Sequence, residues 1–272
     1  MQPLYHHSLP FSDYPTSACS RLQLGCVSHV GRVRASNQDV MHWLLGGLPT
    51  TAGYQNYGLF LIADGMGGHA DGEQASAAAA RAVITNLVRD FVAPWISGDN
   101  NDAAQPTVQD IFSLAFARAN QLVHQVAPDG GTTLTCALLF ANMLIIAHAG
   151  DSRAYVVTES LKVLTHDHSL AQRLQDVGQL SPEAAVEHPQ RNVLYRAVGL
   201  RDFIEPDLLT VFLPTHGWLL LCTDGLWGVV PEDHILAEIQ AAGDPQLACD
   251  RLLAEALALG GLDNITMILI RL

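Results

Sequence analysis

Four stretches of this chain run from apolar residues into an aspartate. "YGLFLIAD" ends on Asp64, "MLIIAHAGD" on Asp151 and "WLLLCTD" on Asp224, while "ALALGGLD" places Asp263 just before a last apolar run, "NITMILIRL". Unbroken apolar runs of this length suit strands covered on both faces, whereas a sheet wetted on one side alternates. Buried strands that end on acids gather carboxylates along one rim. A single carboxylate at a strand end is usually a turn former, but several brought together repel and call for protons or a counterion. The chain has 27 acidic and 14 basic residues, and the only lysine is Lys162. That lysine cannot neutralise the group. Hard divalent cations can, because carboxylates, backbone carbonyls and water together suit Mg²⁺ or Mn²⁺.

Helices are expected in pairs rather than one after each strand. "GEQASAAAARAVITNLVRDFV" (72–92) and "VQDIFSLAFARANQLVHQV" (108–126) are adjacent, separated by the polar loop "SGDNNDAAQP". In the second, Ile111, Leu114, Ala115, Leu122 and Val126 predict one buried stripe. Later, "PEDHILAEIQAA" begins with Pro231 at a favourable first-turn position, and "PQLACDRLLAEALALGG" ends on glycines that stop a helix. Between the pairs, residues 131–158 read as consecutive strands with "AGDSRA" as a turn. Paired helices around antiparallel strands predict an α+β sandwich, not a doubly wound parallel sheet. Residues 1–22, punctuated by Pro3, Pro10 and Pro15, are expected to form a loosely ordered extension. Residues 23–272 are expected to form a single domain.

Several functions are excluded by composition. The acidic balance argues against nucleic acid, whose phosphates need a basic footprint. Five scattered cysteines without a C-x-x-C pair suggest neither a disulfide framework nor a zinc site, but free thiols in a reducing compartment. The chain begins without a basic stretch and apolar run, and no apolar stretch reaches the roughly 18 residues needed to span a bilayer. A cytoplasmic location away from membranes is the expectation. The run Gly65-Met66-Gly67 has Ala70 where a dinucleotide fingerprint needs glycine, and no Gly-Lys pair exists for a P-loop. Gly65, beside Asp64, is instead expected to let the backbone turn sharply and aim its own carbonyl at a metal. Upstream, in "VGRVRASNQDV", Arg34 precedes Asp39 by five residues. Alone such an arginine is usually a surface ion pair; beside a metal cluster its guanidinium suits a phosphate clamp.

These motifs resemble, in order, those of the metal-dependent Ser/Thr protein phosphatases, the type 2C family, in its bacterial form. They are "RASNQD" (34–39), "ADGMGGHADGE" (63–73), "GTTLTCALL" (131–139), "AGDSRAY" (149–155), "HDHSLAQRL" (166–174), "HPQRNVLYRAVG" (188–199), "LLLCTDGLW" (219–227) and "GGLDNITMI" (260–268). The resemblance implies a four-layer α-β-β-α sandwich, two face-to-face antiparallel sheets flanked by helix pairs. It implies that Asp64 bridges two Mn²⁺ or Mg²⁺ ions, that Asp224 and Asp263 complete the first, and that the Gly65 carbonyl and Asp39 serve the second, partly through water. Asp151 with Asp224 would hold a third, weaker ion, and Arg34 would bind the substrate phosphate. A hydroxide bridging the metals would then attack phosphoserine or phosphothreonine, with the chain, expected to be a monomer, opposing a Ser/Thr kinase.

Two positions depart from the family. Gln38 stands where many relatives have Glu, and Met66 where animal members have a histidine proposed as general acid. His69 is the candidate donor in its place, with a metal-bound water as competitor. His148, in an apolar strand, reads as a satisfied core residue. Residues 166–197 resemble the family's flap beside the active site. Rival readings are a catalytically silent phosphoprotein-binding module and a small-molecule phosphatase on the same fold.

Overall fold

The structure is a computed structural model that describes residues 22–50, 53–97, 106–140, 142–181, 184–185, 188–214 and 216–272. The expected extension, all but Leu22, and most of the polar loop after the first helix lie outside the described residues. Leu22 itself packs on a core between sheets. Among the described residues the strands form two antiparallel sheets. The first has the order β1 (Gln23–His29), β11 (Ile265–Arg271), β10 (Trp218–Cys222), β7 (Arg153–Val157), β8 (Leu161–Val163). The second has the order β2 (Asp39–Thr50), β3 (Gly53–Met66), β5 (Leu134–Phe140), β6 (Met143–Ala149), β9 (Asp207–Phe212), with β4 (Gly131–Thr132) paired to β3.

The unbroken apolar runs divide between two cores by alternation, since successive side chains point to opposite faces of a strand. In β3, Leu59, Leu61 and Ala63 face one core while Phe60 and Ile62 face another; in β10, Leu220 and Cys222 oppose Leu219 and Leu221. The core shared by Phe60, Ile62, Leu219, Leu221 and Ile268 lies between the sheets. Outside the second sheet, α1 (His69–Leu87) and α3 (Val108–Val126) close a second core. Outside the first sheet, α6 (Glu232–Ala242) and α7 (Pro245–Ala258) close a third. Three cores between four layers make the α-β-β-α sandwich that the resemblance implies.

Helix details differ from the sequence reading in three places. α1 begins at His69, three residues earlier than expected, and passes at Leu87 into a π-helical turn, Val88–Val92, followed by α2 (Ala93–Ser97). Gly72, a poor helix former, therefore lies within α1, where a Cβ would stand 2.6 Å from the Gln38 side chain. On α3 the buried stripe is rotated from the predicted one. Leu114 and Val126 are exposed, and Phe112, Phe116, Ala119 and Val123 fill the core with Ile111 and Ala115. Aromatic rings at 112 and 116 bury more area than Leu114 offers, so they set the rotation. Pro231 caps α6 rather than opening it, and that helix ends on Gly243 at φ 66°.

Candidate functional site

Antiparallel pairing places the acids at one end of both sheets. Asp39 opens β2 and is the cross-strand partner of Asp64 near the end of β3. Asp151 follows β6, which runs in the direction of β3 because both pair antiparallel with β5. On the other sheet, Asp224 follows β10 and opens the helical turn α5 (Asp224–Trp227), and Asp263 precedes β11. The rim predicted from the four runs is therefore present, with Asp39 as its fifth member. Asp64 and Asp224 lie close enough for one carboxyl to hydrogen-bond the other across the gap between sheets.

Each backbone position is pinned by neighbours. The Asp64 amide donates to Thr133 Oγ1 at 2.9 Å, and its carbonyl accepts from the Thr132 hydroxyl and the Thr133 amide, each at 2.9 Å. The Gly150–Asp151 turn exchanges two bonds with His168: its carbonyl accepts from the His168 amide at 2.7 Å, and its amide donates to Nδ1 at 3.1 Å. With Nδ1 an acceptor, the His168 proton sits on Nε2, facing Asp207 Oδ2 at 3.1 Å. Asp39 Oδ2 accepts from the Thr223 hydroxyl at 2.9 Å. Asp263 Oδ1 accepts from the Asn264 amide at 2.8 Å, and Oδ2 from Arg34 Nη2 at 2.6 Å.

Asn264 was not identified from sequence. Its side-chain amide donates to the carbonyls of Val30 and Ser36, at 2.9 and 3.0 Å, and its oxygen accepts from the Gln38 amide at 2.8 Å. It thus ties the loop carrying Arg34 and Asp39 to Asp263. The signal available was its place between an acid and a strand, where an amide side chain that bonds backbone is common.

Gly65 does not turn the chain as expected. It continues β3 and pairs with Thr132; the positive φ, 132°, falls at Gly67. What requires glycine at 65 is packing, since a Cβ there would lie 2.2 Å from the Gly72 carbonyl oxygen and 2.8 Å from that of Gln38. Both obstacles are backbone. Gly65→Ala is accordingly expected to destabilise the fold by about 3 kcal/mol or more, the upper range for overpacking, seen as a lowered midpoint in urea with an unchanged m-value. An unchanged midpoint would refute this packing account.

The rim is electrostatically strained. Burial, with the other carboxylates adding to it, pushes Asp64 and Asp151 well above the usual carboxylate range. Burial raises Asp39 to about 7, with Asp224 and Asp263 adding to the rise while hydroxyls of Thr266 and Thr223 pull it back. Asp224 is raised to about 6 by burial and by Asp263, against a hydrogen bond with Asp64. Lys162 lies exposed on β8, at the far edge of the first sheet. Arg153 is engaged by Asp167, at 2.8 to 3.2 Å, and stacks 3.7 Å over the Trp227 ring. Arg34, its side chain about half exposed, is paired with Asp263 on the rim.

Two oxygens bear on whether metal fits. Asp39 Oδ1 and Asp224 Oδ1 are buried without a hydrogen-bond partner, which is costly for a carboxylate unless a cation or proton completes it. Hard oxygen donors of this kind match Mg²⁺ and Mn²⁺. Among the described residues no three His, Cys, Asp or Glu side chains alone enclose a metal position, so carbonyl oxygen and water would have to complete any coordination shell.

The remaining predicted residues are placed as follows. His69 opens α1, and its side chain lies outside the described residues. His148 is buried between Thr135 Oγ1 at 2.9 Å and the His166 carbonyl at 3.2 Å, and burial lowers it to about 3. It is the satisfied core residue expected. Residues 166–197 hold the short helix α4 (Leu170–Asp176), tied back by a bridge between Ser169 and Leu194. No helix is long and apolar enough to cross a membrane among the described residues.

Known proteins resemble this chain in sequence and fold. The family model for protein phosphatase 2C matches residues 29–242. Protein phosphatase PhpP of Streptococcus pneumoniae is 33% identical over 92% of this chain and 97% of its own length. The Mycobacterium tuberculosis serine/threonine phosphatase PstP/Ppp superposes with a TM-score of 0.74 at 32% identity, over 92% of this chain and 98% of that one. The PstP catalytic domain solved in complex with two manganese ions superposes at 0.71 with 31% identity, over 92% and 97%. Matching motif order, sandwich architecture and extent of similarity agree: the chain belongs to the protein phosphatase 2C family of serine/threonine phosphatases.

Proposed function

We propose that this chain hydrolyses phosphoserine and phosphothreonine in proteins with the help of divalent cations held at the acidic rim, opposing a Ser/Thr kinase. The observation that carries the reading is the pair of buried carboxylate oxygens without partners, Asp39 Oδ1 and Asp224 Oδ1, on opposite sheets of one rim. Asp64, between them, would hold both core ions; Asp224 and Asp263 would serve one together with water, the Gly65 carbonyl and Asp39 the other, partly through water, and Asp151 with Asp224 a third. Two bound cations supply Lewis-acid charge and a water acidic enough to act as nucleophile near neutral pH. Mn²⁺ or Mg²⁺ suits these donors.

The protein's own residues do the rest. Arg34 reaches Asp263 from the exposed loop between β1 and β2, with its side chain half open to solvent. Its guanidinium would exchange the Asp263 partner for phosphate oxygens and orient the ester over the rim. Loss of that contact removes charge stabilisation from the transition state. His69, or a water held at the rim, would donate the proton to the departing seryl or threonyl oxygen.

The deciding experiment is metal-dependent release of phosphate from a phosphothreonine peptide and from p-nitrophenyl phosphate. Turnover of both is expected with Mn²⁺ and none with excess chelator. Arg34→Ala is expected to lower kcat/KM by about 10²-fold, the scale of one lost donor to a developing oxyanion. Absence of turnover in every metal would favour the silent binding module. Turnover of the small ester alone would favour a small-molecule phosphatase.

A further inference from the structure

We propose that Thr223 is a positioning residue whose hydroxyl holds the Asp39 carboxylate with one oxygen turned into the rim, and thereby sets affinity for the divalent cation that Asp39 serves. The inference rests on the metal-site reading above and extends it to a residue that touches neither metal nor substrate. Thr223 leaves β10 on the first sheet, and Asp39 opens β2 on the second. Their 2.9 Å bond therefore spans the two layers.

The direction of that bond is fixed by its surroundings. Thr223 Oγ1 accepts the Thr266 amide at 3.1 Å, so its own proton is free to go to Asp39 Oδ2. The backbone closes the same contact, with the Thr223 amide donating to the Thr266 carbonyl at 3.0 Å. The Thr266 hydroxyl shares a hydrogen bond with Ser28 Oγ at 2.8 Å, which in turn accepts from Asn37 Nδ2 at 2.8 Å, and it helps to pull the Asp39 pKa back down. Both threonines are fully buried.

The blander role for Thr223 is to satisfy itself on the Thr266 carbonyl, but that oxygen is 3.4 Å away, against 2.9 Å to Asp39. The shorter contact wins. The Thr223 hydroxyl thus holds Asp39 Oδ2, while Oδ1 remains buried without a hydrogen-bond partner. A carboxylate fixed in this way presents one oxygen to a cation without first losing rotational freedom. Outer-shell partners of this kind typically govern metal affinity.

The test is Mn²⁺ binding to metal-free protein, followed by titration calorimetry and by the electron paramagnetic resonance of bound Mn²⁺, with melting temperature in chelator as the structural control. Thr223→Val is expected to weaken one core ion, the one that Asp39 serves, by about 10 to 100-fold while leaving the other nearly unchanged, and Thr223→Ser to restore wild-type binding. Because valine leaves the Thr266 amide without its acceptor, Thr223→Cys, which keeps an acceptor of similar shape but donates weakly, is measured beside it and decides the matter should valine not fold. A Val or Cys isotherm identical to wild type overturns the proposal, as does a Ser variant as weak as Val. Wild-type protein that binds no Mn²⁺ overturns the metal-site reading along with it, so the two failures are distinct.

Discussion

Asp64→Asn is expected to cut Mn²⁺-dependent turnover by about 10³-fold or more, a loss of roughly 4 kcal/mol of transition-state stabilisation, while raising the melting temperature of metal-free protein. The two effects have one cause. Asp64 faces Asp39, Asp224, Asp151 and Asp263, all of which raise its pKa along with burial. Without cations, a charge at position 64 is opposed from every side, and an uncharged amide of nearly the same shape relieves that opposition. The backbone bonds to Thr132 and Thr133 remain, and the new amide can still donate to Asp224. Relief of about 1 kcal/mol corresponds to a rise of roughly 2–4 °C in a chain of this size. With saturating Mn²⁺ the order should reverse, because the wild type alone keeps the carboxylate proposed to serve both ions. Thermal melts with chelator and with Mn²⁺ measure both orders. A variant that melts lower than wild type in chelator would show that Asp64 is structural rather than strained, and a variant retaining a tenth of the turnover would remove it from the chemistry.

The rim was legible because its cause is local. Each apolar run is a strand covered on both faces, and the residue at which the greasy pattern stops is the one left at the edge, so Asp64, Asp151 and Asp224 could be read directly. Asp263 was legible from the same pattern, as the acid just before the last apolar run, and only Asp39 joined the rim through family resemblance, since no apolar run leads into it. What stayed hidden depends on contacts distant in sequence. The need for glycine at 65 comes from Gly72 on α1 and from Gln38 on the loop before β2, and a local reading of a glycine run assigned it to a turn. Thr223 and Asn264 act through Asp39 and Gln38, 184 and 226 residues away. The rotation of α3 escaped for a related reason. Periodicity admits more than one apolar stripe on that helix, and only the sheet beneath it chooses the one containing Phe112 and Phe116.

Mn²⁺ is expected to raise the melting temperature by about 10 °C or more at pH 8 and by clearly less at pH 6.5. One ion at 100 times its dissociation constant contributes about 2.7 kcal/mol, and two such sites about twice that. The pH dependence follows from the direction of the shifts. Asp39, at about 7, and Asp64 and Asp151, well above the usual carboxylate range, hold protons in the folded state that the unfolded chain has already released. For groups shifted upward, the folded state binds more protons, so stability falls as pH rises toward and through the folded pKa. Metal-free protein should therefore lose stability between pH 6.5 and 8. His148 opposes that trend at the lower end of the window. Its folded pKa, about 3, lies below the ordinary value near 6.5, so the unfolded chain, still about half protonated at pH 6.5, holds a proton that the buried ring refuses, an advantage that fades by about pH 7.5 and offsets only part of the fall. Cations compete with the protons on the same oxygens, so their stabilisation grows as the carboxylates ionise. Melts with and without Mn²⁺ at pH 6.5, 7.2 and 8 test this, with Asp39→Asn expected to flatten the metal-free slope. A metal-free melting temperature that rises across this window, or a Mn²⁺ shift larger at pH 6.5 than at pH 8, would mean that the rim carboxylates are already ionised and balanced without metal, and the strain that motivates the metal-site reading would be absent.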